Sequence, residues 1–264
     1  GYQDDIEDPS VYIKFKVDIS SLHGSEARER LFELFGDKAA YFLAWTTTPW
    51  TLPGNTALAV APNVEYSVLA AEQGYLILAS ALLERVGLDN LKEVARLKGD
   101  ELVTGKYEPL FNPNEFDVER RRFQPVLNTD TGQHYVELQV QPPDQDLTYG
   151  VIAGDFVSME EGTGIVHIAP AYGEVDYQAG EDNDLDFVHM VDLQGNITGT
   201  YPFSGKFVKD ADQLILDDLK SRGLLFRTEK IRHTYPFCWR CEAPLLYYAK
   251  QTWYIRTTTV KESL

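Results

Sequence analysis

Residues 45–55 read Trp45-Thr46-Thr47-Thr48-Pro49-Trp50-Thr51-Leu52-Pro53-Gly54-Asn55, directly after the apolar run Tyr41-Phe42-Leu43-Ala44. A threonine hydroxyl both donates and accepts hydrogen bonds, and proline fixes the backbone that presents it. The segment is expected to form a rigid polar wall at the end of a buried strand, suited to a small polar ligand or a water. A second group, Gly162-Thr163-Gly164-Ile165-Val166-His167-Ile168-Ala169-Pro170, runs into Ala171-Tyr172-Gly173-Glu174-Val175-Asp176-Tyr177. Its glycines permit a tight turn or a close approach of backbone around Thr163. A strand over 165–168, stopped by Pro170, sends Ile165 and His167 to one face and Val166 and Ile168 to the other. A helix beginning near Gly173 places Asp176 in or near its first turn, where the helix dipole favours a carboxylate. Taken singly, each feature has an ordinary explanation: a satisfied polar histidine, a capping aspartate, β-forming threonines. Their combination in one chain is what points to a site.

The two cysteines, Cys238 and Cys241, are spaced Cys-x-x-Cys. Two are too few for a disulfide framework, and half of a tetrahedral zinc site fits better than a redox pair, because no strand-to-helix context surrounds them. His233 stands nearby, at a spacing unlike the usual finger patterns.

These groups need elements to hold them. Alternation predicts a strand at 11–17 and further strands at about 40–46, 56–60, 65–71 and 75–79, separated by Pro and Gly. Short helices are expected over 25–35, ended near Gly36, and over 80–86, closed by Gly87. The stretch 112–149, rich in Pro, Asn, Asp, Gln and Arg, reads as a peripheral insertion of hairpin form, with one strand candidate at 134–140. The core resumes at 150–153. The clearest helix is 211–222, with Asp210 as N-cap, Gln213 at the capping-box spacing, Ala211, Leu214, Ile215 and Leu219 as the apolar face, and Gly223 after its end. Strands at 224–228 and 245–256 follow. Many short strands without regular strand–helix alternation predict an α+β fold, a β-barrel-like core with peripheral helices and hairpins.

Composition bounds the partners. With 44% apolar and 25% charged residues the 264-residue chain is globular, and no stretch is apolar enough to span a bilayer, so no membrane is expected. A net charge of −17 argues against a free-standing nucleic-acid binder. The one dense basic cluster is Arg120-Arg121-Arg122, which reads as a solvated charge run, so that any nucleic-acid contact is local.

The threonine-rich peptide and the Gly162-to-Asp176 segment, in this order and spacing, resemble the two motifs of the editing (connective polypeptide 1) domain of isoleucyl-tRNA synthetase. The likeness runs from about Pro9 to Thr258, apart from 112–149. The related valyl and leucyl enzymes differ, with Arg-Pro and an acidic residue where this chain has Thr48-Pro49-Trp50, and without a histidine at the position of His167. The resemblance implies the class I synthetase editing-domain fold, an editing domain over residues 1–232, and a return segment over 233–264. That segment carries the Cys-x-x-Cys knuckle towards a synthetic domain whose nucleotide-binding signatures this chain lacks. The chain is therefore not expected to activate amino acids.

The implied reaction is hydrolysis by water of the ester in misacylated Val-tRNA(Ile), with Val-AMP left open as a second substrate. A missing methylene is worth only ~1–3 kcal/mol to a synthetic site, a general magnitude for which isoleucyl enzymes are the standard illustration. A second sieve must then remove the smaller product. By the resemblance, Thr46, Thr47 and Thr48 line the pocket, Trp50 walls it, Asn55 holds the loop or the nucleotide, and Asp176 binds the substrate's α-ammonium. His167 either narrows the pocket or serves as general base, the steric role being preferred. No cofactor is expected for editing; Zn2+ is expected at Cys238 and Cys241 only with a partner knuckle from outside this chain. The implied partners are the 3′ acceptor end of tRNA(Ile) and the synthetic domain. The implied state is monomeric and the implied setting cytoplasmic, with an organelle left open. Two alternatives stand beside this reading: a free-standing trans-editing deacylase, opposed by the strand expected at Trp253–Thr258, and a non-catalytic module that docks the acceptor end, opposed by the intact Thr46–Thr48, His167 and Asp176 set.

Overall fold

The computed structural model describes residues 1–21, 26–127, 129, 132, 134–250, 252, 257 and 261. β1 (Tyr2–Asp18) leads to α1 (Glu26–Phe35), β2 (Ala40–Thr46) and, past a 3-10 turn at Pro49–Gly54, to β3 (Ala57–Val60), β4 (Glu65–Ala71) and β5 (Gly74–Ala79). Next come α2 (Leu83–Val86), β6 (Lys92–Lys98), α3 (Gly99–Leu102) and β7 (Lys106–Tyr107). The second half holds β8 (Arg120–Leu127), β9 (His134–Val140), β10 (Gly150–Ala153), β11 (Ile165–Ile168), α4 (Glu174–Asp182), β12 (Asp186–Val188), α5 (Val208–Ser221) and β13 (Leu225–Pro236).

The main sheet runs β11-β3-β10-β7-β1-β2-β5-β4-β6, with β13 added to β1. β1 joins two structures. Its N-terminal part pairs antiparallel with β13, while residues 11–16 pair with β2 and 17–18 with β7. The strands from β11 to β2 curl until β11 comes alongside β2. No ladder joins those two among the described residues. The fold is thus the expected α+β arrangement around a barrel-like core, with one seam left open. The core is apolar, with Phe15, Phe42, Leu43, Leu58 and Tyr66 fully buried. A smaller cluster of Ala57, Ala59, Ile152, Ile168 and Ala179 packs α4 against β3, β10 and β11, which delivers the start of α4 to the seam.

Several expectations need correction. α5 starts at Val208 after Phe207, so Asp210 lies in its first turn and is not the cap. Its buried face is Val208, Ala211, Asp212, Ile215, Leu216 and Leu219, whereas Leu214 is 41% exposed. The spacing i, i+3, i+4, i+7, i+8 is respected, but it includes an aspartate because that aspartate has a buried partner, described below. The 112–149 stretch does hold a hairpin, of β8 and β9, as expected; the pairing of β8 with β12 in a second sheet was not expected. Pro125 sits where only β9 flanks β8, so its missing N–H costs no ladder bond on the other side.

The basic run is not a solvated one. Arg120 is buried, bonding Asp186 Oδ2 at 3.0 Å and the carbonyls of Pro142, Gln145 and Asp146. Arg122 reaches the other oxygen of Asp186 at 2.7 Å. Only Arg121 turns outward, towards Glu119. A buried carboxylate has to be paired, and this one recruits two of the three arginines. β13 continues through residues 232 and 233, and residues 245–250 form no strand. Trp253–Ile255 and most of the expected strand beyond lie outside the described residues.

Candidate functional site

The open seam holds a cleft of about 410 Å³ whose lining includes Trp45, Thr46, Thr47, Gly162, His167 and Asp176. The two segments singled out from sequence therefore meet here. β2 carries Trp45 and Thr46 to its end, and β11 presents His167 from the strand registered against β3, His167 opposite Leu58. Gly162 and Gly164 adopt φ of +70° and +72°, and a Cβ on Gly164 would stand 2.4 Å from that of Ala79. This close approach lets Ala79 N–H donate to the Thr163 carbonyl at 2.9 Å and brings the turn to the cleft.

The threonines have unequal roles. Thr46 Oγ1 lies 3.3 Å from Thr48 Oγ1 and accepts from Thr48 N–H at 3.2 Å. Thr48 Oγ1 lies 3.4 Å from Thr51 Oγ1, which in turn lies 3.2 Å from His167 Nε2. Thr47 lines the cleft, and its hydroxyl has no protein partner among the described residues. It is the hydroxyl of the three that is free to meet a ligand. Thr48 is absent from the lining; it ties Thr46 to Thr51.

Trp50 is not a wall of the cleft. Its indole is buried against Tyr172, the rings 5.0 Å apart and edge-on. Its place is taken by Trp45, whose Nε1–H donates to Ser10 Oγ at 2.6 Å. Asn55 is buried and holds the loop: its amide donates to the Ala57 carbonyl at 2.8 Å, and its Oδ1 accepts from Tyr107 OH at 2.6 Å. Trp45, Thr51 and Asp212 were not expected from sequence. Trp45 and Thr51 had a signal, as members of the threonine-rich peptide, and Asp212 had none. Asp212 accepts Trp50 N–H through Oδ1 and so fixes the turn that carries Thr51.

Two titratable groups define the electrostatics. His167 is 8% exposed, and burial holds its imidazole down at about 4, so it is neutral near pH 7. Asp176 is half-buried in the first turn of α4, and its Oδ2 accepts Ala169 N–H at 3.0 Å. Burial pushes this carboxyl up to about 6, outweighing that hydrogen bond. No cation pairs with it among the described residues.

Cys238 and Cys241 lie away from the cleft in the hairpin closed by the Phe237–Pro244 bridge. Backbone N–H groups of Cys241 and Arg240 point at the Cys238 sulfur and lower its pKa, which suits a thiolate ligand. His233 is engaged with Asp8 at 2.9 Å, and no third His, Cys, Asp or Glu joins a metal-holding group among the described residues. The donor set fits half of a tetrahedral zinc site.

No family model matches the chain. Along its whole length it is 49% identical to an isoleucine–tRNA ligase of Dehalococcoides mccartyi, of which it covers 25%. It is 44% identical over 234 residues to that of Bacillus thuringiensis, covering 88% of this chain and 20% of that one. The chain thus spans about a quarter or less of the relatives it matches. Among solved structures, GlLeuRS-CP1 superposes with a TM-score of 0.59 at 14% identity, over 83% of this chain and 98% of that one. The P. knowlesi cytosolic leucyl-tRNA synthetase editing domain superposes at 0.54 and 13%, over 83% and 95%. In sequence the chain matches a segment of isoleucine–tRNA ligases, and in fold it matches the leucyl-tRNA synthetase editing domains. The editing-domain fold places the seam cleft at the end of β2 and β11, with the two segments that carried the sequence resemblance on its opposite sides.

Proposed function

We propose that this editing segment hydrolyses the ester of Val-tRNA(Ile), with water as the nucleophile. The observation that carries the reading is Asp176, a half-buried carboxylate lining the cleft with no cation beside it among the described residues. The α-ammonium of an aminoacyl ester supplies that cation, restores the ionised carboxylate and fixes the substrate through a charge-assisted bond. The ester carbonyl and the attacking water then lie towards Thr47, whose hydroxyl is free to donate or accept. Attack forms the C–O bond to water, and collapse of the tetrahedral intermediate expels the ribose oxygen, which leaves protonated. An aminoacyl ester is already labile, so orientation and local dipoles suffice without an enzyme nucleophile.

His167 acts by shape in this reading. A neutral, buried imidazole held down at about 4 is a weak base at neutral pH, and its Nε2 is occupied by Thr51. Its ring narrows the cleft against the extra methylene of isoleucine. The partners are the 3′ acceptor end of tRNA(Ile) and the synthetic domain of a cytoplasmic, monomeric synthetase. Cys238 and Cys241 form half of a zinc knuckle completed from outside the chain and stand apart from the hydrolysis. Deacylation of Val-tRNA(Ile) against Ile-tRNA(Ile) tests the proposal: rapid loss of the valyl ester alone is expected, and equal stability of both esters overturns it.

A further inference from the structure

Thr51 stands at the junction of the two halves of the site. It is 5% exposed, in the 3-10 turn between Pro49 and Pro53, and its Oγ1 touches three polar atoms. The Thr48 carbonyl lies 2.9 Å away, His167 Nε2 3.2 Å and Thr48 Oγ1 3.4 Å. A carbonyl oxygen can only accept, so the shortest of these contacts commits the Thr51 hydroxyl proton to Thr48. The contact to His167 then has to be supplied by the ring: Nε2–H donates to Thr51 Oγ1.

The other nitrogen of the ring leads to the same assignment. His167 Nδ1 is buried and has no hydrogen-bond partner among the described residues. A proton on Nδ1 would be a buried donor without an acceptor, whereas a bare lone pair there forgoes much less. The main chain of His167 is fixed by pairing with β3, so the torsions of the side chain are its remaining freedom. A half-turn of the ring would swap Nε2 for Cε1 and break the bond to Thr51.

We propose that Thr51 is a positioning residue for size selection: it locks His167 as the Nε2–H tautomer in one ring orientation and thereby sets the width of the cleft. This rests on the editing reading for its consequence in catalysis, though the tautomer lock itself does not. Asp212 supports the arrangement from behind, by holding the turn through Trp50 N–H at 2.8 Å.

The test combines a spectrum with a selectivity ratio. The chain labelled with 15N-histidine is compared with Thr51→Val, Thr51→Ala and Thr51→Ser near neutral pH. The unmodified chain and Thr51→Ser are expected to show His167 with a protonated Nε2 and an unprotonated Nδ1. Thr51→Val and Thr51→Ala are expected to show mixed tautomers. The valyl-over-isoleucyl ratio in kcat/KM is expected to fall on the order of tenfold in Val and Ala and to be kept in Ser. A protonated Nδ1 in the unmodified chain overturns the proposal, as does a Val or Ala variant that keeps both tautomer and ratio. Hydrolysis of neither ester by the unmodified chain defeats the editing reading, and the selective role with it, while the spectra still decide the lock.

Discussion

Asp212, on the buried face of α5, accepts the main-chain N–H of Trp50 at 2.8 Å across 162 positions of sequence. A helix remote in the chain thus holds the turn that follows Thr46–Thr48 and carries Thr51. Burial, opposed by Lys209 and reinforced by the charge of Asp8, pushes the Asp212 carboxyl up to about 7. A folded-state pKa raised above the unfolded value means that the folded chain favours the protonated form. The stability Asp212 contributes is full below about pH 4 and is lost as pH rises through 7. Asp212→Asn keeps an acceptor for Trp50 and cannot ionise. It is expected to match the parent at pH 4 and to exceed it at pH 8 by on the order of 2 kcal/mol in urea unfolding. Asp212→Ala strands a buried N–H and should fall about 1–3 kcal/mol below the Asn variant. An Asn variant no more stable at pH 8 than at pH 4, relative to the parent, would show that Asp212 is not held protonated.

Asp176 titrates in the same direction with a different consequence. Its carboxyl, raised to about 6 by burial, is stable as the acid below the unfolded pKa and loses that advantage as pH rises through 6. Asp176→Ala should therefore leave stability at pH 7 unchanged or slightly higher, while valyl-ester hydrolysis falls roughly a hundredfold. In the parent chain, kcat/KM should decline as pH drops below about 6, where the carboxylate that meets the ammonium is protonated. Hydrolysis that survives the Ala substitution at full rate removes the anchor role.

His167→Ala separates shape from base chemistry. The variant should hydrolyse Ile-tRNA(Ile) while keeping Val-tRNA(Ile) hydrolysis within a fewfold. Loss of both activities in a folded variant would assign the general-base role instead.

The arginine run makes a prediction about folding rather than binding. Asp186 is fully buried between Arg120 and Arg122, so Asp186→Ala leaves uncompensated cations and should cost about 3–5 kcal/mol. Arg121→Ala touches only an exposed pair with Glu119 and should change stability by less than about 1 kcal/mol. A mild Asp186→Ala phenotype in thermal unfolding would contradict the pairing.

Much of this site could be read from the chain because its parts lie in short, contiguous segments. Thr46, Thr47, His167 and Asp176 are fixed by local features: a strand end, a proline stop, a helix start. The residues that escaped notice are defined by partners distant in sequence. Asp212 looks like a surface aspartate until Trp50 is seen against it, and Arg120 looks solvated until Asp186 is found inside. The resemblance puts Trp50 on the wall, but Tyr172 draws it behind the cleft. β8 escapes the sequence reading because its three arginines and Pro125 mask the alternation of a strand whose buried residues are Arg120 and Phe123. Side chains that answer to long-range partners carry no periodic signal.

The unpaired seam between β11 and β2 has a consequence for how this site can change. Part of the cleft is bounded by Gly162 and Gly164, where neighbouring atoms and positive φ leave no room for a side chain. That stretch of the boundary is main chain, and its amides and carbonyls are the same whatever residues drift into the rest of the domain. Selectivity can evolve at Thr47 and His167, while the glycine stretch stays chemically constant. The pocket has adjustable positions and a stretch that substitution can block but cannot retune.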